Sequence, residues 1–245
     1  MILIIKVICF DLDGTLLPID TDAFIGEYLK ALAPHVAPVM GPDQLIPLIW
    51  DATKAMIESD EPQYTNEQIF ERRFLEKSGL KREEIWHIFD HFYDNHFPSL
   101  KKHVAEAPLS RQIVQSALDR GYRVAVATNP VFPKAAIQER MRWAGVEDLV
   151  EWVSVYEETH WCKPHPGYYR EVAAAMGVTP EECIMVGNDM QEDLVASTVG
   201  MTTYWVNQHR IDRGSPTFSP DGEGTMVELL SDIRAGKGIF SAVAL

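Results

Sequence analysis

The sequence predicts an α/β protein: a parallel sheet covered by helices on both faces, with an all-helical block inserted after the first strand. Three observations predict it. Short apolar runs recur at residues 1–10, 122–127, 183–186 and 202–206, with a further candidate at 150–156. Amphipathic helical patterns lie between the later runs, and strand–helix alternation of this kind implies a parallel sheet buried on both sides. Residues 19–100 show helical periodicity without a strand signal.

The opening run carries one cation, Lys6, inside it, and Asp11 follows where a signal peptide would show a small-residue cleavage site, so it reads as a buried strand. A helix over 109–120 places Ile113, Val114, Ala117 and Leu118 on one face and stops at Gly121; 133–144 repeats the pattern with Ala136, Ile137, Met141 and Ala144 before Gly145. Helices are also expected over 167–176 and 190–199, each followed by glycine. Thr179-Pro180-Glu181 has the form of an N-cap, a first-position proline and an acidic first turn. Within the insert, Thr65-x-x-Gln68 is a capping-box pattern ahead of Ile69, Phe70 and Phe74. Residues 82–95 place Ile85, Ile88, Phe89 and Phe92 at helical spacing, and 22–33 and 43–57 also fit helices. The aromatics of this block read mainly as its own core.

The chain of 245 residues is 46% apolar, which suits a globular core, and no stretch approaches the roughly 20 apolar residues needed to cross a bilayer. A formal net charge of −14 without any run of Lys and Arg repels duplex nucleic acid and anionic membranes. An anionic substrate remains possible where a metal ion sits between it and the protein. Cys9, Cys162 and Cys183 are odd in number and lack C-x-x-C spacing, which points to a reducing cytosol and no disulfide framework.

In a parallel α/β sheet, ligands bind beyond the carboxyl ends of the strands, so polar residues directly after each strand are the chemical candidates. After the first strand stand Asp11-Leu12-Asp13-Gly14-Thr15. Residues two apart at a strand end project to one side, so Asp11 and Asp13 converge, and a hard divalent cation such as Mg²⁺ relieves their repulsion. After the second come Thr128 and Asn129, able to hold phosphoryl oxygens, although Asn-Pro is also a plain turn signal. Lys163, braced by Pro164 and Pro166, offers an ammonium to a phosphoryl group; a surface lysine is the alternative. After residues 183–186 come Gly187-Asn188-Asp189, with Asp193 one helical turn on; these can complete a metal site or cap the following helix.

The set Asp11-x-Asp13-Gly14-Thr15, Thr128, Lys163 and Gly187-x-Asp189-x-x-x-Asp193 resembles the haloacid dehalogenase (HAD) superfamily of phosphohydrolases, in order and spacing, over nearly the whole chain. The resemblance implies a Rossmann-like core of residues 1–18 and 101–245 with a helical, C1-type cap of residues 19–100. It implies Asp11 as the nucleophile forming an aspartyl-phosphate, Asp13 as the acid–base, and Thr128, Asn129 and Lys163 as phosphoryl-binding residues. It further implies Mg²⁺ held by Asp11, Asp13 (through its carbonyl) and Asp189, with Asp193 orienting Lys163 or metal-bound water. Asn188 departs from the commonest pattern, in which an acid directly follows the glycine; the Asn-Asp variant is shared by other members. Dehalogenases of the superfamily lack an acid at the position of Asp13, because a departing halide needs no proton.

The expected activity is Mg²⁺-dependent hydrolysis of a small phosphorylated metabolite by a cytoplasmic protein, with no nucleic-acid or membrane partner; the sequence is silent on oligomeric state. A sugar-phosphate mutase would share every core motif, and a catalytically inactive binding protein would share the fold. A two-component receiver, which also clusters Asp, Thr and Lys, is roughly half this length and has no insert there. His160-x-Cys162-x-x-His165 lacks a fourth ligand for structural zinc. Arg72 and Arg73 are candidate contacts to an anionic substrate or solvated helix-face charges. Residues 16–22 and 96–103 are candidate hinges, and the apolar tail 236–245 reads as a docking segment or a frayed end.

Overall fold

The computed structural model describes residues 4–241. Its sheet has six parallel strands: β1 (Val7–Phe10), β2 (Arg123–Val126), β3 (Trp152–Val153), β4 (Cys183–Gly187), β5 (Thr202–Val206) and β6 (Gly222–Gly224), ordered β3-β2-β1-β4-β5-β6. β1 is central, pairing Phe10 with Val126 on one side and Val186 on the other. β1 and β4 are buried along their whole length because both faces are covered. Ile8, Phe10, Val124, Val126, Ile184 and Val186 face one core; Val7, Cys9, Ala125, Ala127, Cys183 and Met185 face another.

Four helices separate β1 from the rest of the sheet: α1 (Thr21–Val36), α2 (Pro42–Ile57), α3 (Asn66–Ser78) and α4 (Arg82–Asn95). The Thr65/Gln68 capping box that starts α3 is formed, and Gly79 ends the helix in the left-handed conformation. A 3₁₀ segment, Phe97–His103, leads back to α5 (Ser110–Asp119). α6 (Lys134–Ala144) follows β2, α7 (Pro166–Ala175) follows β3, and α8 (Met226–Ala235) closes the chain. α5, α6 and α8 supply Ile113, Ile137 and Leu229 to the first core; α7 supplies Tyr168, Tyr169 and Val172 to the second.

Three expectations need correction. Residues 190–199 do not form an α-helix: turns lead into a 3₁₀ segment, Leu194–Val199. The Asp189 carboxylate takes the amides of Gln191 and Glu192 as an N-cap does, and Asp193 reaches back to the amide of Asp189, but the chain then continues in i→i+3 bonds, as from Ala196 N–H to the Asp193 carbonyl at 3.2 Å. Thr179-Pro180-Glu181 opens only a 3₁₀ turn, Pro180–Glu182, before β4. β6 was not anticipated, because its glycines give no apolar signal. It forms where Asp221 docks on Thr203, its carboxylate accepting from the Thr203 amide at 2.9 Å, while Gly222 and Gly224 lie against the Tyr204 ring with no room for a Cβ. At the tail, Phe240 is buried and takes the Tyr122 hydroxyl on its carbonyl at 3.0 Å; residues 242–245 lie outside the described residues.

Gly187, the last residue of β4, has no room for a side chain: a Cβ would lie 2.1 Å from the Asp193 carboxyl carbon. Gly187→Ala is therefore expected to displace Asp193 and to lower stability by roughly 1–3 kcal/mol, the range for overpacking a tight site, as read by urea denaturation.

Candidate active site

The carboxyl ends of β1, β2 and β4 bring together Asp11, Thr128 and Asp189, and the segment before α7 delivers Lys163. The Lys163 ammonium, 1% exposed, donates to Asp11 Oδ1 at 2.8 Å and to Asp193 Oδ1 at 2.6 Å. Burial pushes the ammonium's pKa down, but the adjacent Asp11 and Asp193 carboxylates outweigh it and hold the group well above the usual lysine range. Burial raises Asp11 against the pull of Lys163, and it lifts Asp193 to about 7. Two carboxylates share one ammonium, so with both ionised the triad carries one uncompensated negative charge in a buried place.

Around this triad lie the other expected residues. The Thr15 hydroxyl lies 3.1 Å from Asp11 Oδ2 and 2.9 Å from Asn188 Oδ1, its one proton shared between the two acceptors. Asn129 Oδ1 accepts the Lys163 amide at 3.2 Å, and its amide group donates to Glu192 at 3.1 Å, so it braces the lysine loop. Thr128 is buried; its carbonyl takes the hydroxyls of Ser154 and Tyr168 at 2.6 and 2.7 Å. Asp11, Asp13, Thr128, Asn129, Asp189 and Asp193 all line one cavity of about 620 Å³.

Arg140 on α6, 1% exposed, was not anticipated. Its guanidinium is bonded to Asp13 Oδ2 and lies 4.6 Å from the centroid of the Phe132 ring. Asp13 Oδ1 is buried without a partner, as is Arg140 Nη2. The signal was in its spacing: Arg140 stands four residues after Ala136 and four before Ala144, on the apolar stripe of α6, where a charge needs a buried partner. Glu192, in the turns after β4, carries no such signal, and burial together with the charge of Asp189 lifts it to about 7. Arg72 and Arg73 are absent from the cavity: Arg72 pairs with Glu61 and Arg73 with Asp51, each at 2.6 Å.

The donors at this strand end are oxygens only, a set suited to Mg²⁺, which keeps several waters and needs one or two carboxylates. Among the described residues, no three His, Cys, Asp or Glu side chains gather closely enough to hold a metal by themselves. Asp189 is engaged by Arg213 at 2.8 Å as well as by the two amides, while Asn188 is linked through Thr15 to Asp11. The excess negative charge of the triad and the orphaned Asp13 Oδ1 both fit a site completed by a cation and a phosphoryl group.

Arg140→Met removes the counter-charge of a largely buried carboxylate. It is expected to cost roughly 3–5 kcal/mol of stability in urea denaturation, whereas Asp13→Asn in the same background recovers part of that loss.

The family model described as haloacid dehalogenase-like hydrolase matches residues 8–206. The pyrophosphatase PpaX of Anoxybacillus flavithermus is 23% identical over 240 residues, covering 97% of this chain and 99% of that protein. A HAD phosphatase from Thermococcus onnurineus superposes with a TM-score of 0.60 at 22% identity, over 96% of this chain and 100% of the other. A 2-haloacid dehalogenase from Pseudomonas syringae pv. Tomato superposes with 0.59 at 20% identity, over 94% and 98%. With a match that spans most of the chain, a parallel sheet of this order and an Asp-rich site at its carboxyl edge, the protein belongs to the haloacid dehalogenase-like hydrolases.

Proposed function

We propose that this protein is a Mg²⁺-dependent phosphomonoester hydrolase that works through an aspartyl-phosphate on Asp11. The observation that carries the reading is the Asp11–Lys163–Asp193 triad, whose two carboxylates line the cavity with Asp13 while Lys163 is buried behind them. Asp11, its orientation fixed by Lys163 and Thr15, attacks phosphorus in line with the leaving oxygen. Asp13 gives a proton to the departing alkoxide; Oδ1 is the oxygen left free for it, since Arg140 engages Oδ2. Water then loses a proton to Asp13 and attacks phosphorus, releasing inorganic phosphate and restoring the Asp11 carboxylate. Thr128 and Lys163 bind the phosphoryl oxygens, and Asn129 holds the Lys163 loop in place.

Asp11, the Asp13 carbonyl and Asp189 would hold Mg²⁺, with Asn188 Oδ1 as the neighbouring neutral oxygen. When bound, the ion neutralises charge on the phosphoryl group and on the carboxylates. Positioning and charge stabilisation supply most of the rate in phosphoryl transfer, so a rigid core site suffices for the chemistry. The four helices α1–α4 act as the cap that sets leaving-group specificity. The pyrophosphatase and phosphatase among the relatives support phosphoryl chemistry, and the dehalogenase does not. Asp13 favours it over dehalogenation, which has no leaving group to protonate. Three free, buried cysteines suit a reducing cytosol.

The test is hydrolysis of p-nitrophenyl phosphate with Mg²⁺ or with EDTA. Wild type is expected to release nitrophenol only with metal, and Asp11→Asn not at all; metal-independent release, or release by Asp11→Asn, would refute the reading. Asp13→Asn is expected to lower kcat on an alkyl phosphate by about 10²–10⁴-fold, with a smaller loss on p-nitrophenyl phosphate, whose leaving group needs little protonation.

A further inference from the structure

The cavity has two chemically different halves. Its floor, from the sheet, is polar and acidic. Its roof, from α1–α4, is apolar: Ile25, Ile49, Trp50, Phe70, Trp86 and Phe89 line it. Among the described residues, the single charged side chain these helices bring to the cavity is Asp22. No Lys, Arg or His of the four helices reaches it. Trp50 is 49% exposed at this wall, a large aromatic surface left open on a helix whose other apolar residues are mostly packed away. The hydroxyls of Tyr28 and Tyr93 bond to each other at 2.7 Å, so they offer little to a polar ligand.

The basic side chains that line the cavity come from the segment after β5: His209, an exposed imidazole, and two arginines that are already committed. Arg210 pairs with Glu223 at 2.6 Å and stacks 3.8 Å from the centroid of the Trp205 ring; Arg213 holds Asp189 at 2.8 Å. Next to the floor, Asp20 and Glu192 add negative charge. A second anionic group on the substrate, whether a carboxylate or another phosphate, would enter an apolar and acidic half-cavity with no free Lys or Arg among the described lining residues to meet it, at a high desolvation cost. An aromatic or aliphatic body would find walls that bury it.

We propose that the leaving group is an alcohol or phenol with an aromatic or otherwise apolar body and no second anionic group. This rests on the phosphomonoester reading above and sets this cavity apart from one built for pyrophosphate or a phosphorylated carboxylic acid. A cavity of about 620 Å³ holds a two-ring body together with its phosphate. Trp50 is the specificity-determining residue most open to substitution, because its exposure lets it change without disturbing the core.

Binding and turnover separate this inference from the reading beneath it. Affinities of the full-length Asp11→Asn protein for 2-naphthyl phosphate, 2-phosphoglycolate and inorganic pyrophosphate, each with Mg²⁺, are measured by titration calorimetry. 2-Naphthyl phosphate is expected to bind roughly tenfold or more tightly than either of the others, the scale of a few apolar contacts. Trp50→Lys in the same background should narrow or reverse that order. Equal or tighter binding of phosphoglycolate or pyrophosphate, an order unchanged by Trp50→Lys, or no detectable binding of 2-naphthyl phosphate would each overturn the proposal. Wild-type hydrolysis of the same three compounds is followed in parallel. Failure to cleave any of them counts against the hydrolase reading, whereas cleavage with no preference for the naphthyl ester leaves that reading standing and removes only the leaving-group assignment.

Discussion

A buried lysine ammonium organises this molecule's working end. Taking a lone ammonium out of water costs several kcal/mol even after relaxation, so Lys163 is tenable only with carboxylates against it. Asp11 comes from the end of β1 and Asp193 from the turn after β4, and each supplies one. The backbone then follows the electrostatics. Gly187 lacks a side chain so that Asp193 can fold back over the strand end, and Asn129 clamps the lysine loop to the end of β2. Three separate strand ends are tied to a single charge.

That charge is shared unequally, with two carboxylates to one cation, and the imbalance gives the site its chemistry. A buried excess of negative charge would attract a metal ion and, through it, the proposed anionic substrate that a chain of net charge −14 would otherwise repel. An acidic surface is compatible with the proposed phosphoryl site, because the attraction is local and the repulsion is spread over the whole molecule.

Asp13 is governed differently. Its partner, Arg140, is held on α6 under Phe132, whose ring meets Tyr28 of α1 edge-on with centroids 5.2 Å apart. Tyr28 in turn bonds to Tyr93 of α4. A continuous line of contacts thus runs from the inserted helices to the carboxylate assigned to proton transfer. The residues that roof the cavity and those that orient the acid belong to one packed unit, so the packing of the insert bears on both specificity and proton transfer.

Much of this was legible in the linear order of residues. Continuous apolar runs mark strands buried on both faces, and the polar residues just beyond them mark the site; Asp11, Thr128 and Asp189 needed only that rule. A capping pattern placed α3 and helical spacing placed α4 closely, and Thr225-x-x-Glu228, a capping pattern too, was there to mark α8. β6 could not be read, because Gly222 and Gly224 become a strand only through the Asp221–Thr203 contact and the face of Tyr204. Spacing puts Arg140 on the apolar stripe of α6 and Arg142 off it, but the partner could not be read: one is buried against Asp13 and the other pairs with Glu139 and Glu147 at the surface. Local patterning fixes what depends on neighbours along the chain, namely periodicity, caps and strand ends. Which charges are buried together, and which walls face the substrate, depends on residues more than a hundred positions apart, and only folding brings those into contact.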